Sequence, residues 1–508
     1  MSKVGASRTD TETVRENEVP RELQASGCGP LADRVAAAAA GTDSVDEVVA
    51  TLADAGAETW IGLDRAFRAD RLAYGDDLTV VETGPRERLR WLVAACSPDG
   101  HRREAAVARW PLVADGLLFP VLLLRTADWV PEVRDLARGF TAATSGAVDE
   151  AGLLRAAGVA VAIGAWARGG HALELVTAAL RSAPAETLAR ARAHRDVGLR
   201  RMAYGLWLEP GRARRHEVMD AALCEPDPVS RLRCAERLAA DAVRDERPDV
   251  LTRLLEEGTA KVRVEALTGL VRLGRPEAGA AHLADRSALM RATAQWAVRR
   301  AGGTPAALYR RALTADPAAG RVRALVGGLG ECGTLPDLDV LSPFLEHPSP
   351  RVRAAAVRAV RRLGGSPARI AEMLADPAPV VVRAVRAALR EEPGTAPPAR
   401  LRELLATGSP RHVRLGAYEL LRVSDTWTRV QVDLELLAAR DADLGDRARA
   451  DLVAWSRGDA ATAYRPPARE VLRRLGSLID AAEPLLGTEE TRRLRWHLGI
   501  TSRRAALS

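Results

Sequence analysis

Several residue types and motifs are scarce or missing in this sequence, and each absence closes off a class of function. Lysine is nearly absent: of 74 basic residues only Lys3 and Lys261 are lysine, and the rest are arginine. Neither lysine sits in a G-x-x-x-x-G-K-[ST] phosphate loop, and no G-x-S-x-G is present. The five cysteines (Cys28, Cys96, Cys224, Cys234, Cys332) are odd in number and include no C-x-x-C. That pattern fits a reducing cytosol and neither a disulfide framework nor a zinc site. The eight histidines show no ligand spacing. His216-Glu217-Val218-Met219-Asp220 approaches H-E-x-x-H, but Asp220 takes the second histidine position, which suits a charge pair on a helix surface. The longest apolar runs, Leu117–Leu124 and Val159–Ala167, are too short to span a bilayer, and the polar N-terminus shows no secretory h-region. These absences predict a cytoplasmic protein that is not an enzyme, with no membrane contact, cofactor or metal.

What is present is helix-forming. The chain has 508 residues, 47% hydrophobic and only 4% aromatic, and is rich in Ala, Leu, Val and Arg. Alanine and leucine favour helices, and β-branched, aromatic-rich runs are scarce, so the reading is all-α. A chain this long exceeds one ordinary core, unless it is a repeat array growing in one dimension. The net charge of +7 and pI of about 9.6 raise nucleic acid as a partner. Spread over the whole chain that excess is thin.

An internal period is visible. EGTAKVRVEALTGLVRLG, DRSALMRATAQWAVRRAG, DPAAGRVRALVGGLGECG and HPSPRVRAAAVRAVRRLG begin at Glu257, Asp285, Asp316 and His347. Each ends in glycine seventeen residues later, at Gly274, Gly302, Gly333 and Gly364, and Asp441 to Gly458 repeats the interval. Weaker copies start at Ser97, Asp128, His194, Pro226, Asp376 and Gly408. Each unit reads as a helix, a turn of Asp, Pro, Ser and Gly, and a second helix closed by glycine. In the unit from His347, Val352, Ala356, Ala359, Val360 and Leu363 form the core-facing stripe, with Arg351, Arg358 and Arg362 opposite. Gly327 to Gly333, GGLGECG, contains a formal G-x-G-x-x-G, but no strand precedes it. Gly333 then reads as a helix terminator, and Gly328 as a small residue at a close helix approach.

Units of the form DPxPxVRxxAxxAL…LG resemble HEAT repeats, specifically the short HEAT-like class named after phycobilisome lyases. The resemblance covers roughly Ala95 to Gly458 and implies an α-solenoid of about eleven or twelve helix-turn-helix repeats. It also implies a ladder between adjacent units, built from a turn Asp and an Arg six residues on. That spacing is kept by Asp128/Arg134, Asp227/Arg233, Asp285/Arg291 and Asp441/Arg447; Asp316 and Asp376 have their Arg one residue late. The expected organisation is a disordered polar tail over 1–29, an N-terminal helical cap over 30–94, the array over 95–458 and a C-terminal cap over 459–508.

Two sets of residues are candidates for contact with a partner. Arginines in the last helical turn, among them Arg299, Arg361, Arg362, Arg390 and Arg422, suit the helix dipole and are free to reach outward. The segment Arg181–His216 holds nine arginines against three acids, with Tyr204 and Trp207 among them. Arg200, Arg201, Arg212, Arg214, Arg215 and Trp207 there could serve phosphate contact and base stacking. The same residues suit, as the simpler reading, a solvated face over two core aromatics. The first set leads to a non-enzymatic scaffold that binds a protein or peptide along its second helices. The second set leads to the alternative, a nucleic-acid-binding protein, for which Asp128-Trp129 resembles the HEAT-like DNA-repair glycosylases.

Overall fold

The computed structural model describes residues 28–69, 84–144, 147–315, 318–392, 394–462 and 466–500. Nearly all of the tail expected over 1–29 and the turn residue Asp316 lie outside them. Among the described residues every regular element is helical, and no helix is long and apolar enough to cross a membrane. The chain forms two compact units, Met1–Leu238 and Ala239–Ser508, dividing within the helix Pro228–Arg244. Each is an α-solenoid of stacked helices, so the stretch 95–458 is shared between the two.

In the first unit, helix Pro85–Ala95 packs between Gly29–Ala40 and Gly100–Ala108. Helix Glu150–Ile163 touches Ala57–Ala69, Phe119–Arg125 and Val197–Trp207. The apolar run at Leu117–Leu124 becomes part of the short helix Phe119–Arg125, whose seven residues are all buried. Trp60, Trp91 and Trp110 fill space between alanine-rich helices; Trp91 and Trp110 meet at 5.2 Å between ring centroids.

In the second unit eight helices are numbered in chain order: α1 (Ala260–Arg272), α2 (Ala288–Arg300), α3 (Ala319–Cys332) and α4 (Pro350–Arg362). They continue with α5 (Pro379–Leu389), α6 (Arg411–Ser424), α7 (Thr426–Ala438) and α8 (Gly445–Arg457), each packed on the next. All but α7 are second helices of the repeat. The first helices are often reduced: Pro276–His282 is a 3-10 helix, and Pro367–Ala371 gives way to one at Glu372–Ala375. The short span between a glycine stop and the next turn leaves little room for i to i+4 bonding, and the chain tightens.

The glycine stops divide into two kinds. Gly274, Gly302 and Gly364 adopt φ of 77°, 79° and 81°, the left-handed conformation expected of a C-terminal glycine. In each case the next amide returns to a carbonyl five residues earlier, as Gly365 does to Val360. Gly333 departs from that expectation, with φ −80° and ψ −173°, and Gly458 has φ −126°. Neither is left-handed, and at Gly333 it is space that favours glycine, since a Cβ would collide with the Leu329 carbonyl and Asp337. Gly328 and Gly330 do lie inside α3. A Cβ on Gly328 would collide with the Tyr309 ring, and one on Gly330 with Ala359 of α4. The glycine-rich stretch is thus a helix interface, not a phosphate-binding loop.

Val352, Ala356, Ala359 and Val360 of α4 are buried while Arg351, Arg358 and Arg362 are exposed, as the spacing requires; Leu363 is only half-buried. The ladder between units is present, with a geometry that the Asp-to-Arg interval alone does not reveal. Arg103, Arg291 and Arg353 each donate Nη1 to the carbonyls six and five residues earlier, clamping their own turn. Their remaining nitrogens reach a carboxylate further along the chain. Arg103 meets Asp128 and Arg353 meets Asp376, both bidentately at 2.8–2.9 Å, while Arg291 meets Glu331. Arg201 on Asp227, Arg263 on Asp285 and Arg414 on Asp441 repeat the link. Asp376 therefore takes part, even though the Arg that follows it is one residue late. The pairs of Arg103, Arg291, Arg353 and Arg414 are largely shielded from water, where losing one partner is costly and the planar guanidinium fork fits best.

Candidate functional site

Arg299, Arg361, Arg390 and Arg422 lie at one position of the repeat, fourteen residues after Asp285, His347, Asp376 and Gly408. The structure gives them different surroundings. Arg361 turns onto its neighbour, donating Nε to the Ala388 carbonyl at 3.0 Å and pairing with Glu392 at 2.7 Å. Arg390 and Arg422 come together in the lining of a cavity of about 660 Å³. Arg299 and Arg362 lie elsewhere on the second-helix surface.

The cavity is framed by α5, α6, α8 and the start of α7, and it is lined by Arg386, Arg390, Arg422, Arg429, Arg447 and a single carboxylate, Glu419. Glu419 of α6 sits between two arginines, taking Arg386 Nη1 at 2.7 Å and Arg447 Nη2 at 3.1 Å. Asp451 of α8 accepts from both Arg422 and Arg429, which bring Nε to 2.9 and 2.7 Å. Arg429 also meets Asp459 at 3.0 Å, and this pairing, Asp451 first, raises its pKa. The Arg390 side chain has no hydrogen-bonding or ionic partner among the described residues. Ala387, Leu420 and Val423 complete an aliphatic wall.

A carboxyl lies buried next to these arginines. Asp433 of α7 accepts the Tyr418 hydroxyl at 2.6 Å, while its buried Oδ2 meets no protein N–H or O–H and lies beside the Asp451 carboxylate. Burial, with the neighbouring Asp451 charge, pushes Asp433 up to about 8. At neutral pH it holds a proton and donates a hydrogen bond to the Asp451 carboxylate, whose charge faces Arg422 and Arg429. Sequence reasoning found Arg390 and Arg422 but missed this shell. Only Arg386 and Arg390, four apart on one helix, offered a local signal.

A second group of arginines occupies neighbouring second helices. Arg323 of α3, Arg358 and Arg362 of α4 and Arg390 of α5 have no carboxylate partner among the described residues. The helices themselves explain it: α4 and α5 contain no acidic residue, and the one acid of α3, Glu331, is held by Arg291 and Gln295. Partial burial of Arg358, with the like charges of Arg323 and Arg362 beside it, draws its pKa below the ordinary guanidinium value.

The basic segment Arg181–His216 is organised otherwise. Arg200 pairs with Glu225, and Arg201 holds Asp227 in two hydrogen bonds of 3.0 and 2.7 Å. Arg212 donates to the Arg181 carbonyl and pairs with Glu209. Arg214 begins the helix Arg215–Cys224, its amide bonded to Glu217. Trp207 is buried at 5% exposure, with the Arg192 guanidinium 3.9 Å from its ring centroid, so no base can stack there. Half of the segment's surplus of six charges is met by acids beyond its ends, Glu225 and Asp227, and by Glu150, which pairs with Arg190.

Asp128 is equally committed. It is 3% exposed and accepts from Arg103, Arg125, Arg68 and the Val130 amide. Burial alone would raise its pKa; the Arg103 hydrogen bonds and the Arg125 charge more than offset that and lower it. Trp129 beside it is 62% exposed, with Arg103 at 5.7 Å. A carboxylate so enclosed by arginines has no free edge for a substrate. Among the described residues no three His, Cys, Asp or Glu side chains are grouped to hold a metal ion.

No protein-family model and no curated protein matches the chain. Among solved structures it is similar to yeast importin-beta, Kap95p, in a complex with RanGDP, at 12% identity and a TM-score of 0.35. That match covers 94% of this chain and 74% of Kap95p. It is also similar to importin beta crystallised in ammonium sulfate (14% identity, TM-score 0.32, 94% of this chain and 65% of that one). A third is Kap121p (12% identity, TM-score 0.30, 83% of this chain and 55% of that one). The chain thus spans between about half and three quarters of these proteins. Such likenesses attach no partner or activity to it.

Proposed function

We propose that the chain is a non-enzymatic binding scaffold that holds an acidic segment of a partner protein across the second helices α3 to α5. The observation that carries this reading is the difference between two populations of arginine. Those of the inter-unit ladder are each matched to a carboxylate, whereas Arg323, Arg358, Arg362 and Arg390 face outward from consecutive helices with none. Like charges crowded together without counter-charge raise the local potential and favour an anionic occupant. Extended polypeptide suits the site because each stacked helix offers its own contact at a regular step.

The test is fluorescence anisotropy with a short labelled glutamate-rich peptide at low and high salt. Binding should weaken with salt, and Arg358→Glu combined with Arg362→Glu should reduce affinity by about tenfold or more, equivalent to roughly 1.4 kcal/mol. Single-stranded DNA that binds more tightly than the peptide, through the same arginines, would replace the reading with the nucleic-acid one. No peptide binding at low salt would end it.

A further inference from the structure

We infer that the arginine-lined cavity between α5, α6 and α8 is a binding site for a phosphate monoester dianion. The scaffold reading bears only on where that phosphate comes from, a phosphorylated side chain of the partner; the cavity chemistry stands separately.

Charge comes first. Five guanidinium groups line the cavity, and three carboxylates meet them: Glu419, Asp451 and Asp459. Two positive charges remain unmatched. A phosphate monoester carries about −1.5 to −2 at neutral pH, whereas a carboxylate side chain carries one charge and would leave half of the surplus unmet.

Donor geometry points the same way. Arg386 spends only Nη1 on Glu419, and Arg447 only Nη2. Arg422 gives Nε and Nη2 to Asp451 and keeps Nη1. Arg390 keeps all of its donors. The carboxylates therefore act as braces: they orient Arg386, Arg447 and Arg422 from one edge and leave the opposite edges unfilled. Three phosphate oxygens accept from several forks at once, while the two oxygens of a carboxylate are satisfied by one. Pre-oriented guanidinium groups also lose less rotamer freedom on binding.

The remaining wall decides what else the ligand carries. Ala387, Leu420 and Val423 are aliphatic, and no aromatic ring lines the cavity. A nucleotide base would find nothing to stack on, so a nucleoside monophosphate gains nothing over phosphate itself. A phosphoserine, with a short aliphatic stem and backbone on either side, fits a volume of about 660 Å³ next to this wall.

The experiment uses the full-length chain and a labelled peptide in three forms, with serine, phosphoserine or glutamate at one position, at fixed ionic strength. Inorganic phosphate and AMP serve as competitors. The phosphoserine form should bind at least about tenfold more tightly than the other two, and phosphate and AMP should displace it equally. Arg390→Ala and Arg447→Ala should each remove most of that gain, whereas Arg311→Ala, on the separate helix Pro305–Thr314, should not. Circular dichroism of each variant separates loss of binding from loss of fold. Equal binding of the phosphoserine and glutamate forms, or a gain that survives both cavity variants, overturns the phosphate site and leaves the acidic-segment reading standing. Phosphate binding without any peptide binding does the reverse. AMP that outcompetes phosphate refutes the role given to the aliphatic wall.

Discussion

Arginine meets carboxylate in both units of this chain, with opposite results. In the first unit Arg103 and Arg125 are almost wholly buried and converge with Arg68 on Asp64 and Asp128. In the second, Arg386, Arg422 and Arg447 are only partly shielded, each held by a carboxylate on one edge and open on the other. The first cluster turns its donors inward, with Arg103 and Arg125 buried away from any ligand. The second uses its acids to aim its donors. What separates a structural arginine from a binding arginine here is which edge the carboxylate occupies, not how many arginines are present.

The largest effect should come from breaking the buried cluster. Asp128→Ala leaves Arg103 and Arg125, at 0% and 1% side-chain exposure, without their shared counter-charge, and should cost about 3–5 kcal/mol in chemical denaturation. Tryptophan fluorescence would report on the unit concerned, since six of the ten tryptophans lie there and Trp91 bonds the Ala106 carbonyl on the helix of Arg103.

The two clusters should also answer pH in opposite directions. Asp128 has a pKa below its unfolded value, so its stabilisation is present above about pH 4 and is lost as pH falls through the lowered value. Asp433, facing Tyr418, Asp451 and Arg422, is raised to about 8. The folded state retains a proton that the unfolded chain has released, so its contribution falls as pH rises from about 4 to about 8 and is flat beyond. The slope is at most about 1.4 kcal/mol per pH unit. Asp433→Asn keeps an acceptor for Tyr418 and a donor for Asp451 and should remove that slope. Thermal unfolding of both proteins across this range checks it; an unchanged slope would mean that Asp433 is ionised throughout. The smallest effect belongs to the open cluster: Arg390→Ala should alter stability by no more than about 0.5 kcal/mol, and a larger loss would show that Arg390 is structural after all.

The sequence made the helical pairs legible because their signals are local. The VR-x-x-A stripe, the turn acids and the glycine stops all fall within one unit, and α4 buries the residues that its spacing selects. What escaped it was pairing between units. The carboxylate that receives Arg353 lies 23 residues on, at Asp376, and the interval ranges from 22 at Arg263 to 40 at Arg291. A fixed offset of six could not show it. The same limit left the reading of Arg181–His216 open between two alternatives, because a window closed at His216 excluded Glu225 and Asp227. Arg390 and Arg422 were singled out as outward-facing helix ends, but the cavity that unites them needs parts of four helices, including Arg429 and Arg447. Trp207 failed as a stacking platform because an aromatic beside arginines looks the same in a linear string whether its ring is open or covered.

The clamp formed by Arg103, Arg291 and Arg353 has a consequence for how such a chain can change length. Each guanidinium fastens its own bend to an acid supplied by a neighbour, and the coupling is chemically alike at joint after joint. Removing one whole module, like taking a link from a watch strap, brings together two ends that still match. Removing a few residues from within a module leaves a clasp with nothing to close on.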